Sequence, residues 1–445
     1  MKKRTRVTAV DIGTTKVCCI MAEAGPRGDL EIVGMGVSPN RGIRRGTVVD
    51  VDEVTQAIRS AVGEAEASAG SSVQRCFVNL SGDFLSNMSS KGSVAIGSSA
   101  RTISEADVQR VTDNARMVGV PEDRRVIHVI PRGFSVDGLG GIRNPVGLSG
   151  LLLQVDTHII TATTVSLQNV QHCLEAADLE LEEIQGEVVA SVATSLGVLQ
   201  DEEKDLGVAL VDIGGGTTDL AVFKDGHLRY TDVLCVGGQL ITFDVATALR
   251  VPLQEAERLV IQEGLSWKLG ADAHERAWAE KMEAEKAARL DKAGPPEEPE
   301  MPPLPDREIE VTSLSSVQPQ PVRVSELAEI IDLRLMDVFD WLNRQVKGLS
   351  QQGVRPASIV LTGGVSQMAG VAWAAERALD FPVRVARPDS IKGLPSHLRN
   401  PAYSAAVGLL IYGLGVLKGK APPTRTSQVN KVLQSLVTWL REYVF

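Results

Sequence analysis

The chain has 445 residues, 43% of them hydrophobic, which allows two or more domains with sizeable cores. The net charge of −10, without a basic stripe, argues against nucleic-acid binding. The five cysteines lie scattered in apolar segments and the six histidines lack metal-ligand spacing, so we expect neither disulfides nor a zinc site. Asp11 interrupts the apolar run after the basic start, so we also expect no signal peptide or membrane-spanning segment.

The chain begins with two predicted strands joined by a polar turn, within residues 5–22 (TRVTAVDIGTTKVCCIMA). Asp11 ends the first strand, and the turn contains Gly13, Thr14, Thr15 and Lys16. Glycine lets backbone N–H groups approach a ligand closely, and threonine adds hydroxyl donors. Such donors beside a carboxylate suit a phosphate with its metal ion.

The next segments alternate between helical and strand patterns. Ser104 is a candidate N-cap with acidic residues in the first turn after it. We expect a helix at 51–69, a strand at 75–80, strands near 126–136 and 154–162, and two helices within 165–199. Glu187 is placed at the start of the second of these helices, where it could orient a water for attack on a γ-phosphate. The alternative is a first-turn Glu that the helix dipole favours.

A second copy of the polar turn lies within residues 208–223 (VALVDIGGGTTDLAVF). Asp212 ends its first strand, and the turn contains Gly214, Gly215, Gly216, Thr217 and Thr218. A hairpin without a ligand is the simpler reading of one copy. Two copies, each followed by a third strand, favour two similar lobes whose turns clamp one polyphosphate. A further glycine pair, Gly363 and Gly364, follows the strand predicted at 358–361.

The C-terminal part contains an unusual insert and an amphipathic tail. Residues 267–308 combine a charged, helix-favouring stretch with a Pro-rich stretch, which we interpret as a surface insertion. After a polar linker at 418–428, residues 429–444 have helical spacing with one apolar side, including Val432, Leu433, Leu436, Trp439, Leu440 and Tyr443. A helix this short can lie in a membrane surface but cannot span the bilayer. The alternative is a terminal helix that docks into the protein's own core.

Several motifs together resemble the FtsA family of bacterial cell-division proteins, within the actin, Hsp70 and sugar-kinase superfamily. They are DIGTTK at 11–16, GIRRGTVVDVDEVTQAI at 42–58, HVIPRGFSVDGLGGIRNPVGLSG at 128–150, DIGGGTTD at 212–219, LTGGVSQMAG at 361–370 and PAYSAAVGLLIYG at 401–413. The resemblance covers nearly the whole chain except roughly 267–308. Two positions depart from it: SGDF at 81–84 replaces a Gly-Ser-His-like turn, and Val260 stands at a position that is usually basic.

The resemblance implies an α/β, actin-like, two-lobed ATPase fold with duplicated β-sheet subdomains. The implied segments are 1A at 1–84 and 165–200, 1C (an SHS2 domain) at 85–164, 2A at 201–240 and 346–417, 2B at 241–345, the linker at 418–428, and a membrane-targeting helix at 429–445. ATP and Mg²⁺ are the implied ligands, with Asp11 and Asp212 holding the ion through water. Glu257, Gly363 and Gly364 would flank the adenosine, and Gly238 joins the nucleotide-binding set.

The implied function is an ATP-binding protein with weak or no ATPase activity that polymerises on the cytoplasmic membrane face. It would anchor FtsZ filaments through the FtsZ tail, bind anionic lipids, and recruit later division proteins at the septum. Two alternatives stay open from the residues: a small-molecule kinase of the same superfamily, and an actin-like protein of type IV pilus assembly. The tail and the stretch at 128–150 argue against the kinase.

The tail generates the first prediction. Trp439→Glu should abolish flotation with anionic liposomes, because it exchanges a large apolar side chain, whose burial is worth about 1.5–3 kcal/mol, for a charge. Lys431→Gln, on the polar side of the same helix, is the matched control and should weaken binding only partly, by about 1 kcal/mol for the lost charge. Flotation of the Trp439→Glu protein equal to that of the parent would contradict the membrane interpretation.

Overall fold

The computed structural model describes residues 5–25, 30–183, 185–266, 306–314, 319–389, 391 and 394–419. Most of the insert predicted at 267–308 and the whole tail at 429–445 lie outside the described residues. The chain divides into two compact units, the first drawn from 1–237, 346–366 and 384–445 and the second from 238–345 and 367–383.

The strands and helices of the described residues are numbered here in chain order. The strands are β1 (Thr5–Ile12), β2 (Lys16–Ala24), β3 (Leu30–Pro39), β4 (Ile43–Arg44), β5 (Thr47–Val48), β6 (Arg75–Leu80), β7 (Leu85–Ala95), β8 (Arg101–Thr102), β9 (Arg124–Val136), β10 (Leu139–Ile142), β11 (Ser149–Gly150), β12 (Leu152–Thr163), β13 (Glu180–Leu181), β14 (Glu187–Val189), β15 (Val208–Ile213), β16 (Thr218–Lys224), β17 (His227–Leu234), β18 (Glu308–Val311), β19 (Gln320–Arg323), β20 (Ser358–Thr362) and β21 (Val383–Val385). The helices are α1 (Val51–Ala69), α2 (Glu105–Arg116), α3 (Thr164–Ala176), α4 (Ala190–Val198), α5 (Asp201–Leu206), α6 (Gly238–Leu249), α7 (Leu253–Glu263), α8 (Val324–Gln351), α9 (Val371–Leu379) and α10 (Ser404–Gly419). No helix among the described residues is both long and apolar enough to cross a bilayer.

Two sheets of the first unit repeat one arrangement. In the first, the order is β13-β6-β1-β2-β3, with β14 also paired to β6; in the second it is β17-β16-β15-β20-β21. Each contains an antiparallel hairpin, β1–β2 or β15–β16, whose first strand also pairs in parallel with a later strand, β6 or β20. The turn of each hairpin, at 13–15 or 214–217, directly follows a strand that contains an aspartate near its end, and we call it an acidic turn. Since the carboxyl ends of parallel strands meet at one sheet edge, each acidic turn lies beside the end of β6 or β20.

The insertion between β6 and α3 has its own sheet and its own core. Its four main strands have the order β10-β9-β12-β7, and α2 packs against them. Ser104 is the N-cap of α2, as predicted, and its backbone N–H donates to the Asp107 carboxylate at 2.9 Å. The buried residues of this core include Ile103, Val111 and Leu153.

The largest core of the first unit joins its two sheets through helices α4 and α10. Every residue of α4 is buried, and its apolar side chains share one cluster with β1, β2, β15, β16 and α10. The two helices approach so closely that a Cβ atom added at Gly408 of α10 would overlap the Ala193 carbonyl oxygen of α4. This contact therefore requires glycine.

Gly408→Ala should consequently destabilise the protein by about 1–3 kcal/mol, the usual cost of overpacking a core. Gly63→Ala is the matched control, because this glycine of α1 is exposed and an added Cβ would meet nothing within 4 Å. In an open helix position this exchange should stabilise by about 0.5–1 kcal/mol. Thermal unfolding midpoints report both changes, and equal midpoints for the two variants would refute the close approach.

Candidate functional site

The two acidic turns have the same backbone geometry and face each other. The Gly13 N–H donates to the Lys16 carbonyl at 2.9 Å, and the Gly214 N–H donates to the Thr217 carbonyl at 2.9 Å. A Cβ added at Gly215 would lie only 2.6 Å from the Thr15 side chain. The absence of a side chain at this glycine is what lets the second turn approach the first.

A polar cleft of about 720 Å³, including the space at its open mouth, lies between these turns. The sequence-predicted residues that line it are Asp11, Gly13, Thr14, Thr15, Lys16, Asp212, Gly214, Gly215, Thr217, Gly363 and Gly364. Gly363 has a φ angle of 88°, and an added Cβ would overlap the Asp212 carboxylate. These eleven residues are among the twenty that line the cleft.

The other predicted residues occupy different places. Gly216 packs against the Thr14 side chain, and the Thr218 hydroxyl donates to the Val236 carbonyl at 2.8 Å. Gly238, at the start of α6, and the exposed Glu257 of α7 belong to the second unit. Their predicted place beside the adenosine stays a prediction.

Glu187 does not begin a helix, so this part of the prediction is wrong. It lies in β14, three residues before α4, because its segment pairs in parallel with β6. Its carboxylate forms an ion pair with Arg125 of β9. Burial raises the pKa of Glu187, and the Arg125 charge opposes that rise. A catalytic role for Glu187 stays a prediction. In this structure the carboxylate is paired with the Arg125 guanidinium.

Asp11 and Asp212 are buried at the floor of the cleft, with 7% and 9% of their surface exposed. Asn79, at the end of β6, donates its amide to Asp11 Oδ1 at 2.7 Å, and Thr194 of α4 donates its hydroxyl to Asp212 Oδ2 at 2.9 Å. Burial raises the pKa of Asp11, and it raises the pKa of Asp212 to about 6. Buried carboxyl groups that open into a polar cleft fit a hard cation such as Mg²⁺.

Among the described residues, no three His, Cys, Asp or Glu side chains converge as a set that could hold a metal ion. A magnesium ion bound here would therefore draw its remaining ligands from water and from phosphate oxygens. This is the coordination that Mg²⁺ commonly adopts with nucleotides.

Lys16 is the cationic side chain of the cleft lining. Its ammonium donates to the Ala402 carbonyl at 2.8 Å and lies 3.9 Å from the centroid of the Tyr403 ring. Burial lowers its pKa, while the Asp11 charge opposes the change. Residues 401–403, which immediately precede α10, thereby hold the lysine at the edge of the cleft.

Sequence reasoning missed four polar side chains of this site: Asn79, Ser81, Thr194 and Asp219. Asp219 stands directly opposite Asp212 in the β15–β16 ladder and is 4% exposed. Its Oδ2 accepts from the Ser81 hydroxyl at 2.7 Å and from the Thr217 hydroxyl at 3.2 Å, while its Oδ1 has no hydrogen-bond partner among the described residues. The motif DIGGGTTD contained the available signal, since its first and last residues pair directly across the hairpin, and directly opposed residues lie on the same face of a sheet.

Comparisons with curated proteins find relatives along nearly the whole chain. A family model described as "Cell division protein FtsA" matches residues 209–408, and one described as "SHS2 domain inserted in FTSA" matches residues 82–161. The chain is 36% identical to the cell division protein FtsA of Pseudomonas aeruginosa, over 92% of this chain and 89% of that protein. It is 33% identical to the cell division protein FtsA of Escherichia coli (strain K12), over 99% of this chain and 98% of that protein.

Solved structures share the fold at low sequence identity. The chain matches a structure titled "PilM-PilN type IV pilus biogenesis complex" with a TM-score of 0.59 and 16% identity, covering 94% of this chain and 100% of that one. It matches MreB 5 of Spiroplasma citri bound to AMPPNP with a TM-score of 0.51 and 12% identity, covering 93% and 97%. At these identities the likeness is one of fold.

Asp219 generates a prediction for the pH dependence of stability. Burial, with the Asp212 charge, raises its pKa to about 8 from 3.8. Between these values the folded state holds a proton that the unfolded state has released, so the unfolding free energy falls as pH rises, by at most about 1.4 kcal/mol per pH unit for this group. Asp219→Asn should flatten the decline of the thermal midpoint between about pH 5 and pH 8, measured in EDTA without nucleotide.

Asp178→Asn serves as the control, because the Asp178 side chain is 92% exposed. It should keep the pH profile of the parent. Parallel profiles for Asp219→Asn and the parent would show that Asp219 does not carry the proton.

Proposed function

Because the chain belongs to the FtsA family of cell-division proteins, we propose that it binds Mg-ATP at its two acidic turns and anchors FtsZ filaments to the membrane. The chain is an actin-like cell-division protein with an SHS2 insertion, which confirms the sequence-based predictions of the FtsA family, of the actin-like fold and of a role in cell division. The small-molecule kinase and the pilus-assembly protein are not favoured, since the curated relatives are cell division proteins.

One observation carries the nucleotide proposal: two Asp–Gly–Thr turns face one cleft with a buried carboxylate at the root of each. The N–H groups and hydroxyls of the lining turns are suited to donate hydrogen bonds to phosphate oxygens, and Lys16 adds a positive charge. Asp11 and Asp212 would hold the magnesium ion through water. The ion, when bound, would offset the negative charge that phosphates and carboxylates bring together.

The adenosine end of the site is proposed from two places in the chain. Gly363 and Gly364 follow β20 and line the cleft, so an adenosine can pass close to their backbone. Gly238 and Glu257 are proposed as further nucleotide-binding residues. The nucleotide in the MreB 5 structure, AMPPNP, is an ATP analogue, which supports the choice of ATP.

Turnover is proposed to be slow or absent. Glu187 is the candidate for orienting water, and its carboxylate is engaged by Arg125. Val260 also replaces the basic residue expected on α7. The nucleotide would then act mainly by stabilising one conformation of a scaffold.

The remaining roles are proposed from the family and the sequence. The insertion, subdomain 1C at 85–164, would contact neighbouring copies and later division proteins, and subdomain 2B at 241–345 would take the FtsZ tail. Polymers would lie on the cytoplasmic face of the inner membrane at the septum. The tail at 429–445 would hold them there through its apolar side and through anionic lipids.

The test of the nucleotide site is Asp212→Asn, which removes the charge but keeps an acceptor for the Thr194 hydroxyl. ATP affinity with Mg²⁺ should fall about tenfold or more, the effect of losing about 1.4 kcal/mol of ion stabilisation. ATP affinity in EDTA should not fall, because the carboxylate repels bare phosphate. Isothermal titration calorimetry with and without Mg²⁺ measures both values.

Asp178→Asn is again the exposed control and should bind Mg-ATP as the parent does. Equal Mg-ATP affinity for Asp212→Asn and the parent would remove Asp212 from the ion site. For the cellular role, a fluorescent fusion should collect at the septum only when FtsZ is present, and a septal location without FtsZ would contradict the anchoring proposal.

A further inference from the structure

Ser81 lies at the junction between the nucleotide site and the insertion. It directly follows β6, and the SHS2 family match begins at the next residue, 82. Its side chain nevertheless points back into the site, where its hydroxyl is 2.8 Å from Thr217 Oγ1 and 2.7 Å from Asp219 Oδ2. Ser81 also belongs to the cleft lining. One residue therefore contacts the second phosphate turn and begins the link to β7.

Three oxygen atoms meet at this junction: Ser81 Oγ, Thr217 Oγ1 and Asp219 Oδ2. Each of the two hydroxyls has a single proton to donate. The Thr217 hydroxyl has one proton, which it directs to Asp219 Oδ2 at 3.2 Å. A phosphate oxygen in the cleft would compete for that proton, because a hydroxyl donates one hydrogen bond at a time. Ser81 would then be the remaining hydroxyl donor to this buried carboxyl group, and leaving the group without a donor is costly.

A second polar contact joins β17, the strand that pairs with β16, to the insertion. Thr231 of β17 stands opposite Ala221 of β16. Its carbonyl accepts from the Asn87 amide of β7 at 2.7 Å, and its hydroxyl lies 2.8 Å from His158 Nε2 of β12. Burial lowers the pKa of His158 to about 3, so the ring is neutral at ordinary pH and this contact is constant. The contact at Ser81 is the one that a ligand can change.

We propose that Ser81 is a positioning residue of the nucleotide site, which couples phosphate engagement of Thr217 to the stability of β7 at the base of the insertion. The proposal rests on the proposed binding of ATP. When the Thr217 hydroxyl donates to a phosphate oxygen instead of to Asp219, Ser81 becomes the remaining donor to Asp219. The Asp219–Ser81 hydrogen bond is then stronger, and Ser81 is held more firmly. The strand that leaves the site toward the insertion opens less often as a result.

The test is amide hydrogen exchange of the full-length protein, followed in peptides that cover residues 82–92. Saturating Mg-ATP should slow exchange there about threefold to tenfold in the parent, the range that one hydrogen bond can supply. Ser81→Ala should lose most of this response while still binding Mg-ATP, and by linkage its ATP affinity should fall by the same factor. Ser86→Ala, an exposed serine of the same strand, is the matched control and should respond as the parent does.

Ser81→Cys keeps the size of the side chain but donates a weaker hydrogen bond, and it serves if the alanine variant does not fold. It should show the same loss of response. A Ser81 role confined to folding would lower the thermal midpoint but leave the ATP-induced change in exchange intact. That result, or a response of Ser81→Ala and Ser81→Cys equal to that of the parent, overturns the inference.

Calorimetry on the same samples separates this inference from the proposed function. If the parent does not bind Mg-ATP, both are wrong. If the parent binds Mg-ATP and peptides 82–92 do not respond, the nucleotide site stands and the coupling through Ser81 is wrong.

Discussion

The burial of three carboxyl groups in one cleft is the constraint on which the site depends. Asp11, Asp212 and Asp219 are each less than 10% exposed, and burial raises the pKa of each of them. A buried charge without a partner is costly, so each carboxyl group accepts a hydrogen bond from a distant part of the chain: from Asn79, Thr194 or Ser81. Asp219 also accepts one from Thr217 of its own turn. The negative charge of these carboxyl groups would be offset by a cation, so the cleft is suited to a ligand that brings one with it.

This arrangement needs close approach of backbones, which a few glycines make possible. Gly215 admits the side chain of Thr15, Gly363 admits the Asp212 carboxylate, and Gly408 lets α10 press against α4. The last of these contacts lies in the core that joins the two sheets carrying the turns. The packing of α4 against α10 therefore fixes the distance between the two turns. Thr194 of α4 and residues 401–403, which precede α10, contact the residues of the site.

Much of the site could be predicted from sequence, since it is encoded locally. The Asp–Gly–Thr turns, their strands and the glycine pair at 363–364 are continuous motifs whose patterns indicate both structure and chemistry. The partners of the carboxylates are not local. Asn79 and Asp11 are brought together by parallel pairing of β1 with β6, and Thr194 reaches Asp212 from a wholly buried helix; neither pairing is visible without the fold. Glu187 was misplaced for the same reason, because pairing with β6 outweighed the helical pattern of its segment.

The way in which the insertion joins the body has an evolutionary consequence. Its first and last long strands, β7 and β12, are antiparallel neighbours, with Leu85 opposite Ala162, so the chain enters and leaves at adjacent points. One core lies between its sheet and α2, while Ile130 of β9 and Ile160 of β12 belong to the largest core of the first unit. A segment with adjacent ends can be exchanged in a single genetic event, provided that the new segment keeps the side chains that contact the rest of the first unit. Such an exchange would leave the two acidic turns in place, because both turns lie outside the insertion.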